Sequence, residues 1–386
     1  MGAVPSAVDA AQLSDSIEPT ASRSYQTASL LKRDGRIDEA LPYLQSAAAA
    51  DPNEPLFALE LGYAYAATGQ DDAARAEFER AAGLSPDNAA APTELGYLAM
   101  RAGENEEASQ WFRRAIDIHA AATPQDDASR EQQITDLKQL RDTETRLTNQ
   151  FDLLAYQTYR QGAEGVSGGS AEAGSGIIPS QGGVEIAWTP PVIGFNDDRI
   201  FQVYARTLWS NNDQLVLQKN SVVAGAGVRY KPLRELDLYL SAEKVFGIGD
   251  EQDNNTLVRA QYGWYQGTDI KPLEEFYNYT VIYHDLGYFI QSPQRLAYFG
   301  EARQGITWKA RDDLLISPHV VLDGLTQSKD TNDSSYLEGG AGVSFRFHFN
   351  ETKYESYRSY MELIAQYKYG IINIDSGAVL TAIFRF

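Results

Sequence analysis

The chain has 386 residues, with 33 Lys and Arg against 53 Asp and Glu and a net charge of −20. That length accommodates two or three domains, and the acidity excludes nucleic acid as a partner, because phosphate binding needs a basic footprint. The absence of cysteine excludes disulfides, cysteine-based zinc sites and a cysteine nucleophile.

The first twenty residues are rich in Ser, Ala and Pro and read as unstructured; the opening MGAVPSAVDAAQ has neither a basic start nor a long apolar core, so it does not read as a signal peptide. From residue 21 the chain repeats itself at an offset of 34. Gly35, Gly69 and Gly103 superpose, as do Ala40, Ala74 and Ala108, then Ala47, Ala81 and Ala115; Leu61-Gly62 matches Leu95-Gly96, and Pro52 matches Pro86. A period of about 34 residues is that of the tetratricopeptide repeat (TPR). Small residues let two helices approach closely, Phe78 and Phe112 fill the space between them, and each Pro ends the second helix. Three repeats are expected at 21–54, 55–88 and 89–122, the first departing from the pattern with Thr27-Ala28 in place of Leu-Gly. Such a solenoid presents a concave groove suited to a protein partner; the plainer alternative is that the repeats only space the rest of the chain. Residues 129–149, with Ile134, Leu137, Leu140 and Leu147 on one face, predict a capping helix opened by a Ser129–Gln132 capping box.

Near residue 150 the composition changes: 18 of the 23 tyrosines and four of the five tryptophans follow it. From there the apolar period becomes two. At the carboxyl end Ala378, Leu380, Ala382, Phe384 and Phe386 share one face and Val379, Thr381, Ile383 and Arg385 the other. Twelve strands are expected, at 151–161, 184–193, 199–210, 220–231, 236–248, 256–266, 276–289, 296–309, 314–327, 336–349, 359–370 and 377–386. Charged residues at alternate positions of long strands make a poor packed core but a good lumen with the opposite face on lipid. The candidate lumen residues on this parity are Tyr204, Arg206, Arg229, Tyr239, Glu243, Arg259, Tyr265, Glu301, Arg303, Arg346, Glu362, Lys368 and Arg385. Their mixed charges predict wall-to-wall ion pairs, or a polar ladder for a neutral or weakly charged glycan whose rings stack on Tyr204, Tyr239 and Tyr265. A closing strand ending on Phe384 and Phe386 resembles the assembly signal of outer-membrane barrels. The fold class expected is therefore α and β in separate domains: an N-terminal α-solenoid, then a C-terminal antiparallel transmembrane β-barrel over 150–386. A soluble sandwich or barrel is the alternative. Connections 162–183, 211–219, 249–255, 290–295, 328–335 and 371–376 are expected as outer-surface loops, and the other set as periplasmic turns.

The segment LDLYLSAEKVFGIGDEQDNNTLVRAQYGWYQGTDIKP (236–272), with AYFGEARQGITWK (297–309), SPHVVLDG (317–324) and RSYMELIAQYKYG (358–370), is similar to the C-terminal domain of the bacteriophage N-four adsorption protein A family. The resemblance spans about 200–386. It implies an outer-membrane protein associated with phage adsorption and with exopolysaccharide export, and the TPR-plus-barrel order also resembles exporters of cellulose and poly-N-acetylglucosamine. The functions so implied are an export conduit or accessory, with partners in membrane lipid, a periplasmic protein and a polysaccharide, or a non-conducting scaffold that phage exploit. No cofactor or metal is expected: the four histidines, His119, His284, His319 and His348, make no ligand spacing. A barrel hydrolase would need His284 or His319 to act with Ser317, and the chain is expected not to be an enzyme.

Overall fold

The computed structural model describes residues 7–161, 180–211, 221–248, 254–291, 294–328 and 335–386. The chain divides into two compact units, residues 1–144 and 145–386.

The first unit is built of helices α1 (Ala7–Arg33), α2 (Ile37–Ala50), α3 (Pro55–Ala67), α4 (Asp71–Leu84), α5 (Ala90–Ala102), α6 (Asn105–Ala121) and α7 (Asp127–Thr148). The first six pair as hairpins with the 34-residue period. The turn glycines Gly35, Gly69 and Gly103 have φ of 75°, 74° and 78°, a left-handed conformation that only glycine adopts without strain. Packing follows one rule of volume. Phe78 lies against Gly62 and Phe112 against Gly96, so closely that a Cβ at either glycine would fall 2.6 Å from the ring. Tyr63 and Tyr97 meet these rings edge-on at 5.4 and 5.1 Å. In the first repeat Ala28 stands at the glycine position and Leu44 at the phenylalanine position, both fully buried in one cluster. A larger floor is matched by a smaller knob, so the departure from the repeat pattern preserves the interhelical fit.

Two sequence readings change here. Helix α1 begins at Ala7, inside the stretch 1–20 read as unstructured; its AVDAAQL run is a good helix former, and residues 1–6 lie outside the described residues. Helix α7 is capped by Asp126, not by the Ser129–Gln132 box: Asp126 Oδ1 accepts from the Ser129 backbone N–H at 2.8 Å, while Gln132 bonds Asp136. Asp is at least as good an N-cap as Ser, and it lies one turn earlier. Buried Glu144 then ties α7 to α6, accepting from Ser109 Oγ at 2.7 Å and Arg113 Nε at 2.6 Å.

The second unit is a closed barrel. Its strands are β1 (Phe151–Arg160), β2 (Gln181–Trp188), β4 (Arg199–Ser210), β5 (Val223–Lys231), β6 (Asp237–Gly247), β7 (Asn255–Gln266), β8 (Phe276–Phe289), β9 (Arg295–Arg311), β10 (Leu314–Ser328), β11 (Tyr336–Phe349), β12 (Ser359–Ile372) and β13 (Gly377–Arg385). The two-residue β3 (Phe195–Asn196) only pairs antiparallel with the first residues of β4. Each strand pairs antiparallel with its neighbour, β2 pairs with β4, and β13 closes onto β1 with Leu154 opposite Arg385. Closure leaves no free edge. Turns at 232–236, 267–275, 312–313 and 350–358 lie at the end where β1 starts and β13 stops; this is the turn end. The opposite, loop end carries the connections expected as outer-surface loops, and apart from 290–295 and 373–376 these lie largely outside the described residues.

The barrel's polarity is inverted relative to a soluble protein. Ile186, Leu240, Ile306, Leu322, Leu363 and Leu380 are exposed on the outer wall. Phe151, Trp188, Trp264, Phe276, Trp308 and Phe386 are exposed around the turn end, as an interfacial aromatic girdle requires. An apolar band running round a closed wall is far larger than a soluble monomer exposes. Among the described residues no helix is long and apolar enough to cross a membrane.

Substituting Phe112→Ala removes the knob that Gly96 receives and is expected to destabilise the helical unit by about 3–5 kcal/mol. Denaturant melting of the full chain, followed by the helical circular-dichroism signal, checks this; an unchanged helical midpoint would contradict the packing.

Candidate functional site

Inward residues alternate with wall residues along every strand, and the inward ones are charged. Arg206 on β4 reaches Glu243 on β6, whose other oxygen accepts from Tyr204 Oη at 2.7 Å; Arg206 and Glu243 are only 7% and 3% exposed. Arg259 pairs with Asp285, which also accepts from Tyr283 Oη at 3.2 Å. Arg346 pairs with Glu362 at 2.8 Å and Arg303 with Glu301 at 2.8 Å. Lys368 bridges Asp323 at 2.6 Å and Glu338 at 3.2 Å, and Glu338 also takes Arg160. Nearer the turn end Arg229 pairs with Glu185 and Arg385 with Asp152. Every lumen candidate named from the sequence faces inward. Arg160 and the acids Asp152, Glu185, Asp285, Asp323 and Glu338 also face inward though not among the sequence candidates; they occupy the same parity, which was the signal for them. A buried charge needs its partner close by, so the pairs cross-brace the wall.

The lumen is graded along its length. At the turn end is a cavity of about 610 Å³, lined among others by Asp152, Arg229, Tyr239, Tyr265, Tyr360 and Arg385. It shares Arg229, Tyr265, Tyr283, Arg346 and Tyr360 with a deeper cavity of about 300 Å³ reaching Tyr204, Arg206 and Arg259. Beyond, toward the loop end, apolar side chains pack beside the buried Arg160–Glu338–Lys368 charges. Leu208, Val223, Val245, Leu257 and Phe289 form one buried cluster and Phe299, Leu325 and Tyr336 another. Among the described residues the lumen is therefore a well open at the turn end, with an ion-paired shaft and a packed floor in which apolar clusters surround paired charges. Arg229 lies between Tyr204 and Tyr239, at 5.4 and 6.0 Å from their rings, and Arg346 lies 4.4 Å over Tyr360. Such cation–π contacts fix the tyrosine faces that line the mouth.

The hydrolase residues do not assemble. His284 lies on the outer wall and bonds Tyr298 Oη at 2.7 Å. His319 faces inward, but its Nδ1 meets the Ser317 carbonyl and its Nε2 meets Gln366, both at 2.9 Å, while Ser317 Oγ bonds Thr307. Neither ring nitrogen is left for the Ser317 hydroxyl. Among the described residues no three His, Asp or Glu side chains group as metal ligands.

In the helical unit the first helices of the repeats carry a second polar feature. Tyr63 and Glu60 on α3 lie near Glu94 on α5, and Lys32 on α1 pairs with Glu60. Burial, then Glu94 and Glu60, push the Tyr63 phenol up to about 12. Burial also raises the Glu94 carboxyl above the ordinary glutamate range, against the pull of Arg101.

Residues 215–382 match the model of the bacteriophage N adsorption protein A C-terminal domain. The barrel is similar to that family's C-terminal domain. Residues 25–89 and 72–127 match the tetratricopeptide repeat. Among solved structures, the Yersinia enterocolitica type III secretion chaperone SycD in complex with a peptide of the translocator YopD is similar at 21% identity, over 31% of this chain and 90% of that one, with a TM-score of 0.27. A type III secretion complex from Aeromonas hydrophila is similar at 25% identity, over 34% of this chain and 86% of that one, with a TM-score of 0.30. At such TM-scores these likenesses carry no argument about partners. Comparison with curated proteins gave no match. A barrel similar to that of adsorption protein A, joined to tetratricopeptide repeats, fits an outer-membrane TPR/β-barrel protein, in accord with the inverted polarity of its wall.

Two outcomes follow from this geometry. Arg206→Met strands Glu243 without its cation and is expected to destabilise the barrel by about 3–5 kcal/mol, whereas Arg206→Met with Glu243→Leu recovers most of the loss; heat-dependent gel migration of the barrel reads both, and equal losses would contradict the pairing. For Glu94, the raised carboxyl pKa means that the folded state holds the proton more tightly than the unfolded chain. Its contribution is therefore greatest below the unfolded glutamate pKa and is lost as pH rises through the higher folded value. Glu94→Gln should make the helical unit more stable at neutral pH, with the gain vanishing in acid; a gain that persists unchanged in acid would refute the assignment.

Proposed function

We propose that this chain is a non-catalytic outer-membrane accessory of exopolysaccharide export. In this reading the barrel anchors the protein in lipid without passing polymer along its axis, and the TPR groove, in the periplasm, docks a protein of the export machinery. The observation that carries the non-conducting part is the crowded lumen: paired charges project into the shaft, and apolar side chains pack at its loop end beside the buried Arg160–Glu338 pair. A polymer conduit needs a continuous hydrated bore, and side chains that crowd the shaft work against one. The association with export is supported by the family resemblance and by the tyrosines that face the well. The description of the family favours a second reading beside it, in which the loop end serves as an adsorption surface for a bacteriophage.

Reconstituted in planar lipid bilayers, the full-length protein is expected to give no steady conductance. In the parent bacterium, deletion is expected to reduce surface polymer. Stable open-channel currents would replace the accessory reading with a conduit, and unchanged polymer with lost phage adsorption would favour the receptor.

A further inference from the structure

We propose that the well at the turn end of the barrel binds the terminal one or two rings of a neutral glycan, with the Tyr265 ring as its platform. The inference deepens the glycan side of the proposed function and rests on that reading for the origin of the ligand.

The platform is built rather than incidental. Tyr265 projects inward from β7, and its ring lies over Gly263, where a Cβ would collide with it. One face of the ring is thus packed on backbone, yet the residue is still 49% exposed, toward the mouth cavity. Tyr239 and Tyr360 line the same cavity, each held by an arginine. Cavities of about 610 and 300 Å³ fall within the usual span of small-molecule sites, roughly 300–1,000 Å³.

Charge selects the ligand class. Of the cations that line the cavities, Arg206, Arg229, Arg346 and Arg385 are paired with Glu243, Glu185, Glu362 and Asp152, and the others are paired too. Among the described residues, no arginine lining these cavities waits for an anionic ligand. Paired guanidinium and carboxylate groups still have donors and lone pairs to spare, which suits a ligand covered in hydroxyls with an apolar ring face. An extended peptide is disfavoured, because a closed barrel has no free strand edge to hydrogen-bond its backbone. The packed floor limits entry to the end of a chain.

The test uses full-length protein in detergent micelles, with titration calorimetry and saturation-transfer NMR against maltose, cellobiose, diacetylchitobiose and, as a charged comparator, glucuronate. At least one neutral disaccharide should bind, and glucuronate more weakly. Tyr265→Ala and Gly263→Val, checked for intact barrels by gel migration, should each weaken binding by about tenfold or more, while Tyr265→Phe stays within about threefold. No binding by any neutral sugar, tighter binding of glucuronate, or equal affinity in Tyr265→Ala would overturn the site. Because binding is read on purified protein, its failure beside a lost-polymer phenotype removes the well and leaves the export role standing, and sugar binding with unchanged secretion does the reverse.

Discussion

Everything in the barrel depends on one constraint: in hydrocarbon each backbone N–H and C=O must find its partner within the protein. A closed antiparallel sheet meets that demand, and closure in turn dictates the side chains. Successive residues point alternately to lipid and to lumen, so each strand must be apolar on one side and is free to be polar on the other. Once charges occupy the lumen in a space this narrow they must be paired: Arg259–Asp285 and Arg346–Glu362 tie adjacent strands, and Arg206–Glu243 and Lys368–Asp323 reach across an intervening strand. The same residues that make the interior polar therefore make it crowded.

The helical unit obeys a different constraint, of volume alone. Gly62 under Phe78 and Gly96 under Phe112 set the spacing of the helices, and Ala28 with Leu44 reaches it with the sizes exchanged. The repeat pattern is thus a record of paired volumes, which is why the first repeat looks irregular in sequence while its helices pack like the others.

Much of this was legible beforehand because its causes are local. A period of two survives in the sequence wherever one face meets lipid, so Leu363, Ala365 and Tyr367 announced their strand, and all twelve strands lie within a few residues of their expected places. The 34-residue spacing was legible for the same reason, since it recurs in one small set of residues. What was not legible depends on competition or on distance. Ser129 and Asp126 are both good caps, and nothing local decides between them. The partnership of Arg160 with Glu338, 178 positions apart, follows from barrel closure and register, which no local pattern carries. The graded lumen was hidden for a related reason: Leu208, Val245, Leu257 and Phe289 are inward residues that read singly as ordinary apolar strand positions, and only their convergence at one end makes a floor.

The central claim is that alternate side chains touch hydrocarbon. The chain contains no cysteine, so single cysteines can be introduced along β12 at positions 363 to 368 without background and labelled with a fluorophore in lipid vesicles carrying a bilayer-depth quencher. Labels replacing Leu363, Ala365 and Tyr367 should be strongly quenched, and those replacing Ile364, Gln366 and Lys368 should not. Uniform quenching along the strand, or none at any position, would contradict the account.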